Sequence, residues 1–145
     1  MSASIFLHPL AILNIADQYS RAFFQQSNSR LVGVLVGLQS GRRIEIFSSL
    51  ELAYNNDTNL IDEKTLSGQQ EYCTKVLPAY KAKAMYEVVG WYSISKDLKP
   101  AKSDQNIHKQ IMALNENPLY MIINIIDSVA HLHDMPIVIF SVMEA

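Results

Sequence analysis

Apolar residues recur along the first third of the chain in patterns that predict one helix and two strands. Over residues 9–26 they recur at helical spacing, and Pro9 suits the first turn because its missing N–H costs nothing there. The run 31–38 is almost continuously apolar and β-branched, as in a strand covered on both faces. The run 43–52 alternates instead. With Ser40-Gly41 as the turn, these two runs predict a β-hairpin.

Alternation also predicts which side chains of the run 43–52 share a face of the sheet. A strand places successive side chains on opposite faces. One predicted face is apolar and holds Ile44, Ile46, Leu50 and Leu52, whereas the other is charged and holds Arg43, Glu45 and Glu51.

The remaining patterns complete an alternating series of strands and helices. A short strand over 5–7 precedes the first helix, and a polar loop over 55–59 follows the hairpin. Further along, the patterns predict a helix over 62–84 that Gly68 and Pro78 weaken, a strand over 86–92, a helix over 103–114, and strands over 119–126 and 137–143. The order β-α-β-β-α-β-α-β-β predicts an α/β fold with a central mixed β-sheet flanked by helices.

Composition narrows the function classes. The chain has 145 residues, 49% of them hydrophobic and 18% charged, which fits one folded domain with a proper core. A net charge of −2 gives no basic footprint for nucleic acid or an anionic membrane, and no apolar run is long enough to span a bilayer. Cys73 is the single cysteine, which excludes an internal disulfide.

The segment that follows Gly90-Trp91-Tyr92 carries a pattern of hydroxyl and amide side chains. It resembles the signature of the JAMM/MPN metalloprotease family, in which Gly-Trp-Tyr leads into His-x-His, followed by a Ser and an Asp at fixed offsets. In this frame the two His positions hold Ser93 and Ser95, the Ser position holds Ser103, and the Asp position holds Asn106. A catalytic zinc needs three deprotonated or imidazole donors, so neutral hydroxyls and an amide are unsuited to it.

The family's catalytic glutamate precedes a hydrophobic strand that corresponds to residues 31–37, and Arg30 occupies its position here. A cation at this position would repel a metal ion and could not accept a proton from metal-bound water. The resemblance therefore implies a pseudoenzyme without catalytic residues, metal or other cofactor, whose degenerate positions are Arg30, Ser93, Ser95, Ser103 and Asn106.

Further motifs are similar to one branch of the MPN family, the metal-free subunits of the COP9 signalosome. They occur in order over most of the chain, at residues 8–19, 41–52, 107–111, 115–119 and 134–136. This resemblance implies a non-catalytic scaffold that pairs with a zinc-bearing sister subunit, the one that removes the ubiquitin-like modifier Nedd8 from cullins. It further implies a cytoplasmic and nuclear location, with other signalosome subunits as partners and no nucleic acid or membrane. The equivalent metal-free subunits of the proteasome lid and of translation initiation factor 3 remain alternatives.

The resemblance also bears on domain organisation. Residues 1–145 are expected to form a single MPN domain. Members of this family normally continue into further segments that anchor them in their complex, and we expect this chain to lack that C-terminal anchoring segment.

Three other residues or pairs invite a chemical interpretation. His131 and His133 have ligand-like spacing, so a hydrolase with a displaced metal site is the alternative from another class, although no third ligand is recognisable nearby. His108 is expected to be a surface or capping residue of a short helix. Cys73 lies on the apolar stripe of its helix and is expected to be a core thiol.

Aromatic residues near the end of the first helix form a candidate interface. Phe23 and Phe24 point about a hundred degrees apart, so both cannot easily share one core stripe with Tyr19. Either the buried face is wide, or these rings form an exposed patch for a partner helix, since aromatic residues are enriched at interfaces. The second reading predicts pairing with the metal-bearing MPN subunit, or a homodimer when the domain is isolated.

Overall fold

The computed structural model describes residues 4–76, 86–125 and 136–141. Its largest feature is a mixed six-stranded β-sheet with the strand order β1-β3-β2-β6-β7-β8. The strands are β1 (Ser4–Leu7), β2 (Val32–Ser40), β3 (Arg43–Leu52), β6 (Glu87–Ile94), β7 (Leu119–Ile123) and β8 (Ile137–Phe140). Strands β1 and β3 run parallel, as do β6 and β7, and the other neighbours are antiparallel. The predicted central mixed sheet flanked by helices is confirmed.

Within the described residues, three α-helices pack around the sheet. Helix α1 (Pro9–Phe24) begins with Pro9 in its first turn, as predicted, and α3 spans Asp104–Met112. Helix α2 (Glu63–Glu71) is capped by the Asp62 carboxylate, which accepts from the backbone N–H of Thr65. It continues as a π-helix over Tyr72–Val76. The rest of the predicted second helix, including Pro78, lies outside the described residues.

The sheet divides the core into two layers. On one face, side chains of β1, β3, β6 and β7 pack against Ala11 and Ile15 of α1. On the other face, Val34, Trp91 and Tyr120 pack against residues of α2, the π-helix and α3. Burial on both faces accounts for the nearly continuous apolar runs of the central strands. The domain is therefore a three-layer arrangement with the sheet in the middle.

A β-bulge in β3 corrects the prediction from alternation. Val36 pairs with Ser48 and Gly37 with Ile46, so Phe47 is an extra residue between them. One extra residue exchanges the two faces for everything beyond it. Ile44 and Ile46 consequently face α1, whereas Leu50 and Leu52 face α2 and α3. The prediction that all four share one face is wrong, because alternation alone cannot reveal a bulge where both faces are buried.

The polar loop predicted over 55–59 is part of a small hairpin. Strands β4 (Tyr54–Asn55) and β5 (Leu60–Ile61) pair on either side of its tip. Its turn was predicted correctly, but the two short strands are too brief to produce a pattern in the sequence. This hairpin matters because it forms one wall of the groove described below.

Two smaller expectations are also settled by the fold. Gly41 has a positive φ of 58° in the turn between β2 and β3, a conformation that glycine adopts without steric cost. Cys73 is fully buried in the core, as expected, and burial raises the pKa of its thiol to about 11. Among the described helices, none is long and apolar enough to cross a membrane.

Candidate functional site

A polar groove lies at the end of β6, between the β4–β5 hairpin and the N-terminus of α3. Its volume is about 420 Å³. Ser93 lies in β6 and Ser95 directly follows the strand, and both residues line the groove. The other walls are formed by Arg30, Tyr54, Asn56, Asn59, Ile94, Lys99, Ala101, Ser103, Asp104, Tyr120 and Ile122.

The Arg30 side chain forms part of the floor of this groove. Its Nη2 donates to Asp104 Oδ1 at 2.6 Å, to Ser93 Oγ at 3.0 Å and to the Tyr120 hydroxyl at 3.4 Å. The guanidinium carbon also lies 5.5 Å from the centre of the Tyr54 ring, within the range of a cation–π contact. One cation thus connects the start of β2 with β6, β7, α3 and the β4–β5 hairpin.

Asp104 is the acidic partner in this floor and is only 1% exposed. Besides Arg30, it accepts from the Tyr120 hydroxyl at 2.5 Å and from the backbone N–H of Ala101 at 2.9 Å. A buried carboxylate requires a counter-charge and hydrogen-bond donors, and Asp104 has both. Its contact with Ala101 also fixes the end of the loop that leads into α3.

An aromatic stack continues from the groove into the core. The rings of Trp91 and Tyr120 lie 3.8 Å apart and are nearly parallel, at 5°. The Trp91 indole N–H then donates to His108 Nδ1 at 3.0 Å. His108 is buried rather than at the surface, so that prediction is wrong. It occupies the inward face of α3, where it accepts the only hydrogen bond that a buried indole can donate.

The electrostatics of the site follow from burial and from the ion pair. Burial lowers the pKa of Arg30, but the Asp104 carboxylate outweighs this effect and raises the pKa above its ordinary value. Burial, together with donation to Asp104, raises the pKa of Tyr120. Burial lowers the pKa of His108, which favours the neutral ring that can accept from Trp91. The groove floor therefore holds a charged arginine and a neutral phenol, and the core next to it holds a neutral imidazole that accepts from Trp91.

The structure brings together four of the five positions that the sequence frame selected. Arg30, Ser93, Ser95 and Ser103 all line the groove, whereas Asn106 is exposed and does not. Asp104 supplies the acidic side chain instead. Residues two positions apart in an α-helix point about 200° away from each other, so only one of Asp104 and Asn106 can face the groove. The structure therefore does not bring Asn106 into the groove with the other four positions.

The donor set of this groove does not fit a catalytic zinc. A zinc site needs three strong donors, and among the described residues that line the groove the only anionic one, Asp104, is neutralised by a guanidinium. No group of three or more His, Cys, Asp or Glu side chains within the described ranges is arranged to hold a metal. His131 and His133, the alternative ligands, lie outside the described residues. No metal-dependent step is therefore derived for this groove.

The candidate interface on α1 is a surface of a different kind. Phe23 is 66% exposed and Phe24 is 83% exposed, whereas Tyr19 is half-buried against the core. Their rings contact one another, with Phe23 and Phe24 edge to face at 5.8 Å and Tyr19 6.3 Å from Phe23. Leu10 and Leu13 of the same helix are also exposed. Of the two readings, the structure favours an exposed aromatic patch over a wide buried face.

Asp104, Tyr120 and Tyr54 were not predicted as site residues, although the sequence contains features that point to Asp104 and Tyr120. Tyr120 pairs with Trp91 across the parallel strands β6 and β7, so an aromatic residue in each strand at that register is one clue. An acidic residue directly after Ser103, at the start of an amphipathic helix, is another. No sequence feature points to Tyr54, because its position depends on the β4–β5 hairpin, which was not predicted.

Comparison with known proteins adds the relationship that the geometry alone does not give. The family described as JAB1/Mov34/MPN/PAD-1 ubiquitin protease matches residues 1–117. The chain is 36% identical to COP9 signalosome complex subunit 6a of Arabidopsis thaliana, over 92% of this chain and 46% of the relative. It is also 36% identical to subunit 6 of Dictyostelium discoideum and 35% identical to that of Drosophila melanogaster, over 92% and 90% of this chain and 41% and 37% of those relatives.

The chain therefore spans less than half the length of the relatives it matches. The motifs in residues 8–19, 107–111 and 115–119 indicate the signalosome branch of the family, and the relatives named subunit 6 confirm this resemblance. The matching family model, the mixed sheet flanked by helices and these relatives agree, and the chain belongs to the JAB1/Mov34/MPN/PAD-1 family.

Proposed function

We propose that this chain is a non-catalytic MPN subunit of a COP9 signalosome, and that it binds the zinc-bearing sister subunit which removes Nedd8 from cullins. Its similarity to subunit 6 of three organisms supports the choice of complex. The observation that carries the non-catalytic role is the groove floor. A guanidinium hydrogen-bonded to Asp104, Ser93 and Tyr120 supports this role, because the resemblance assigns Arg30 to the position of the family's base, and a cation there cannot accept a proton and would repel a metal ion.

The proposed contact surface is the aromatic patch of α1, formed by Tyr19, Phe23 and Phe24. Burying a large apolar side chain contributes on the order of 1.5–3 kcal/mol, so two rings exposed by more than half favour association. A partner helix would cover them, and Leu10 and Leu13 extend the apolar surface along α1. In the absence of the sister subunit, the same patch would pair two copies as a homodimer. Cytoplasm and nucleus are the proposed locations.

Co-purification with the zinc-bearing subunit tests this proposal. We expect the double variant Phe23→Ser with Phe24→Ser to lose at least about 90% of the captured partner, since interface aromatic residues often contribute 2 kcal/mol or more. Met112→Ser is the matched control, because Met112 is 46% exposed on α3, away from the patch. It should capture as much partner as the parent chain does. Equal capture by the double variant and the control would refute α1 as the contact.

The competing scaffolds are tested in the same experiment. Purified zinc-bearing subunits of the signalosome and of the proteasome lid, and the corresponding subunit of translation initiation factor 3, are offered together to the tagged chain. Preferential capture of the signalosome subunit supports the proposal. Preferential capture of either of the others would refute it and would indicate that the chain is a subunit of that other complex.

A further inference from the structure

The geometry points to Arg30 as an internal cation that takes the place of a metal ion and organises the groove around itself. This inference goes beyond the proposed function and does not depend on which complex the chain joins. Arg30 acts as a positioning residue that holds the side chains of the groove floor in place.

The first support is the coordination of a single nitrogen atom. Nη2 of Arg30 has three oxygen atoms within 3.4 Å, supplied by Ser93, Asp104 and Tyr120. These oxygens come from three separate elements, β6, α3 and β7. A cation that joins side chains from several elements is what a bound metal provides in other proteins, and here the cation is covalently part of the chain.

The second support is the burial of the anion. Asp104 is 1% exposed, and Arg30 is its only cationic partner within the described residues. Removing one partner of a buried pair leaves an uncompensated charge, which is far more costly than removing an exposed pair. Within those residues, no buried side-chain nitrogen or oxygen lacks a hydrogen-bond partner. The floor is thus complete without any added ion, and this completeness depends on Arg30.

The third support is the contrast with Arg21, the other arginine that binds a carboxylate. Arg21 contacts both Glu51 and Asp17, but its side chain is 49% exposed and its partners are 45% and 68% exposed. The Arg30 side chain is 23% exposed. Solvent screens the Arg21 pair, so it contributes little to folding. The two arginines form a matched comparison between a surface ion pair and an internal one.

A double-mutant cycle tests the structural half of the inference. We expect Arg30→Met to lower the melting temperature by roughly 10 °C or more, while Arg21→Met shifts it by a few degrees at most. Asp104→Asn combined with Arg30→Met should lose clearly less than the sum of the two single losses, because neither charge is then left unpaired. Strictly additive losses would overturn the inference.

Zinc binding by a redesigned groove tests whether the positive charge of Arg30 takes the place of a metal ion. Ser93→His with Ser95→His introduces two imidazoles into the groove that Asp104 also lines. In that background, Arg30→Met should bind zinc at least roughly tenfold more tightly than Arg30→Lys, because lysine retains the positive charge at similar length. Titration calorimetry measures the affinity, with the unsubstituted chain giving the background from His131 and His133.

Zinc-dependent melting provides a second readout in case the Arg30→Met background folds poorly without metal. Its melting temperature should rise on adding zinc, whereas that of the Arg30→Lys background should not. Equal zinc affinity and equal zinc-dependent shifts in the two backgrounds would overturn the inference, since the charge at position 30 would then be irrelevant to the cation site.

Discussion

The side chains of the groove have their partners within the chain, whereas the aromatic side chains on the surface of α1 are exposed to solvent. In the groove, Arg30, Asp104 and Tyr120 complete one another's hydrogen bonds within the chain. On α1, Phe23 and Phe24 are exposed, and the Phe23 ring contacts those of Phe24 and Tyr19. A polar site that is complete by itself has no need of a ligand, whereas exposed aromatic rings favour a partner. The difference supports a domain that acts through its surface rather than through its groove.

The largest expected effect on stability comes from removing a side chain of the groove floor. Tyr120→Ala should lower the free energy of unfolding by about 3–5 kcal/mol, because it removes a fully buried ring stacked on Trp91 as well as a donor to Asp104. Tyr120→Phe keeps the ring and loses only the hydroxyl, so we expect about 1–2 kcal/mol. Urea unfolding measures both. Equal losses for the two variants would mean that the stack adds nothing.

A second prediction compares the two faces of α1 itself. Ile15 is fully buried beneath the helix, so Ile15→Ala should lower the free energy of unfolding by about 2–5 kcal/mol. Phe24→Ser should change it by no more than about 0.5 kcal/mol, since that ring is 83% exposed. Denaturant titrations of the two variants give the comparison. A comparable loss in Phe24→Ser would show that the ring belongs to the core and would remove the argument for a binding surface.

A smaller effect concerns the pH dependence of stability. The pKa of His108 is lowered in the folded state from its ordinary 6.5, because burial disfavours the imidazolium. The unfolded chain then binds more protons, so the stabilisation that this group gives is present above pH 6.5 and is lost as the pH falls towards the folded-state pKa.

The variant His108→Gln isolates this contribution from the other histidines. It should show a shallower loss of unfolding free energy between about pH 7 and pH 5 than the parent chain. Melts in a series of buffers measure the two slopes. Identical slopes would mean that His108 has the same pKa in both states and that burial does not hold its ring neutral.

The sequence predicted the fold better than it predicted the groove. Helix α1, the β2–β3 hairpin and the Gly90-Trp91-Tyr92 strand follow from periodicity and from the resemblance, because each has a long pattern or a distinctive motif. Phe47 shows the limit within a strand. The register shift there depends on pairing with β2, which a single strand's alternation does not encode.

The groove depends on details that no local pattern contains. The family frame selected Ser103, which lines the groove, and Asn106, which does not, because Asp104 is the residue of α3 that faces the groove and Asn106 points about 200° away from it. Tyr120 and His108 were missed since their roles arise from tertiary contacts with Trp91. The angle between Phe23 and Phe24 on the helix allowed two interpretations, an exposed patch or a wide buried face. Only the packing of α1 on the sheet decides between them.

The zinc content of the purified chain, stripped of tags, tests the central claim most directly. The account predicts no stoichiometric zinc by elemental analysis and no isopeptidase activity, since a guanidinium occupies the groove floor and neutralises its one carboxylate. A one-to-one zinc signal that disappears in His131→Ala or His133→Ala, together with isopeptidase activity that disappears with it, would contradict it. The chain would then be a hydrolase with a displaced metal site.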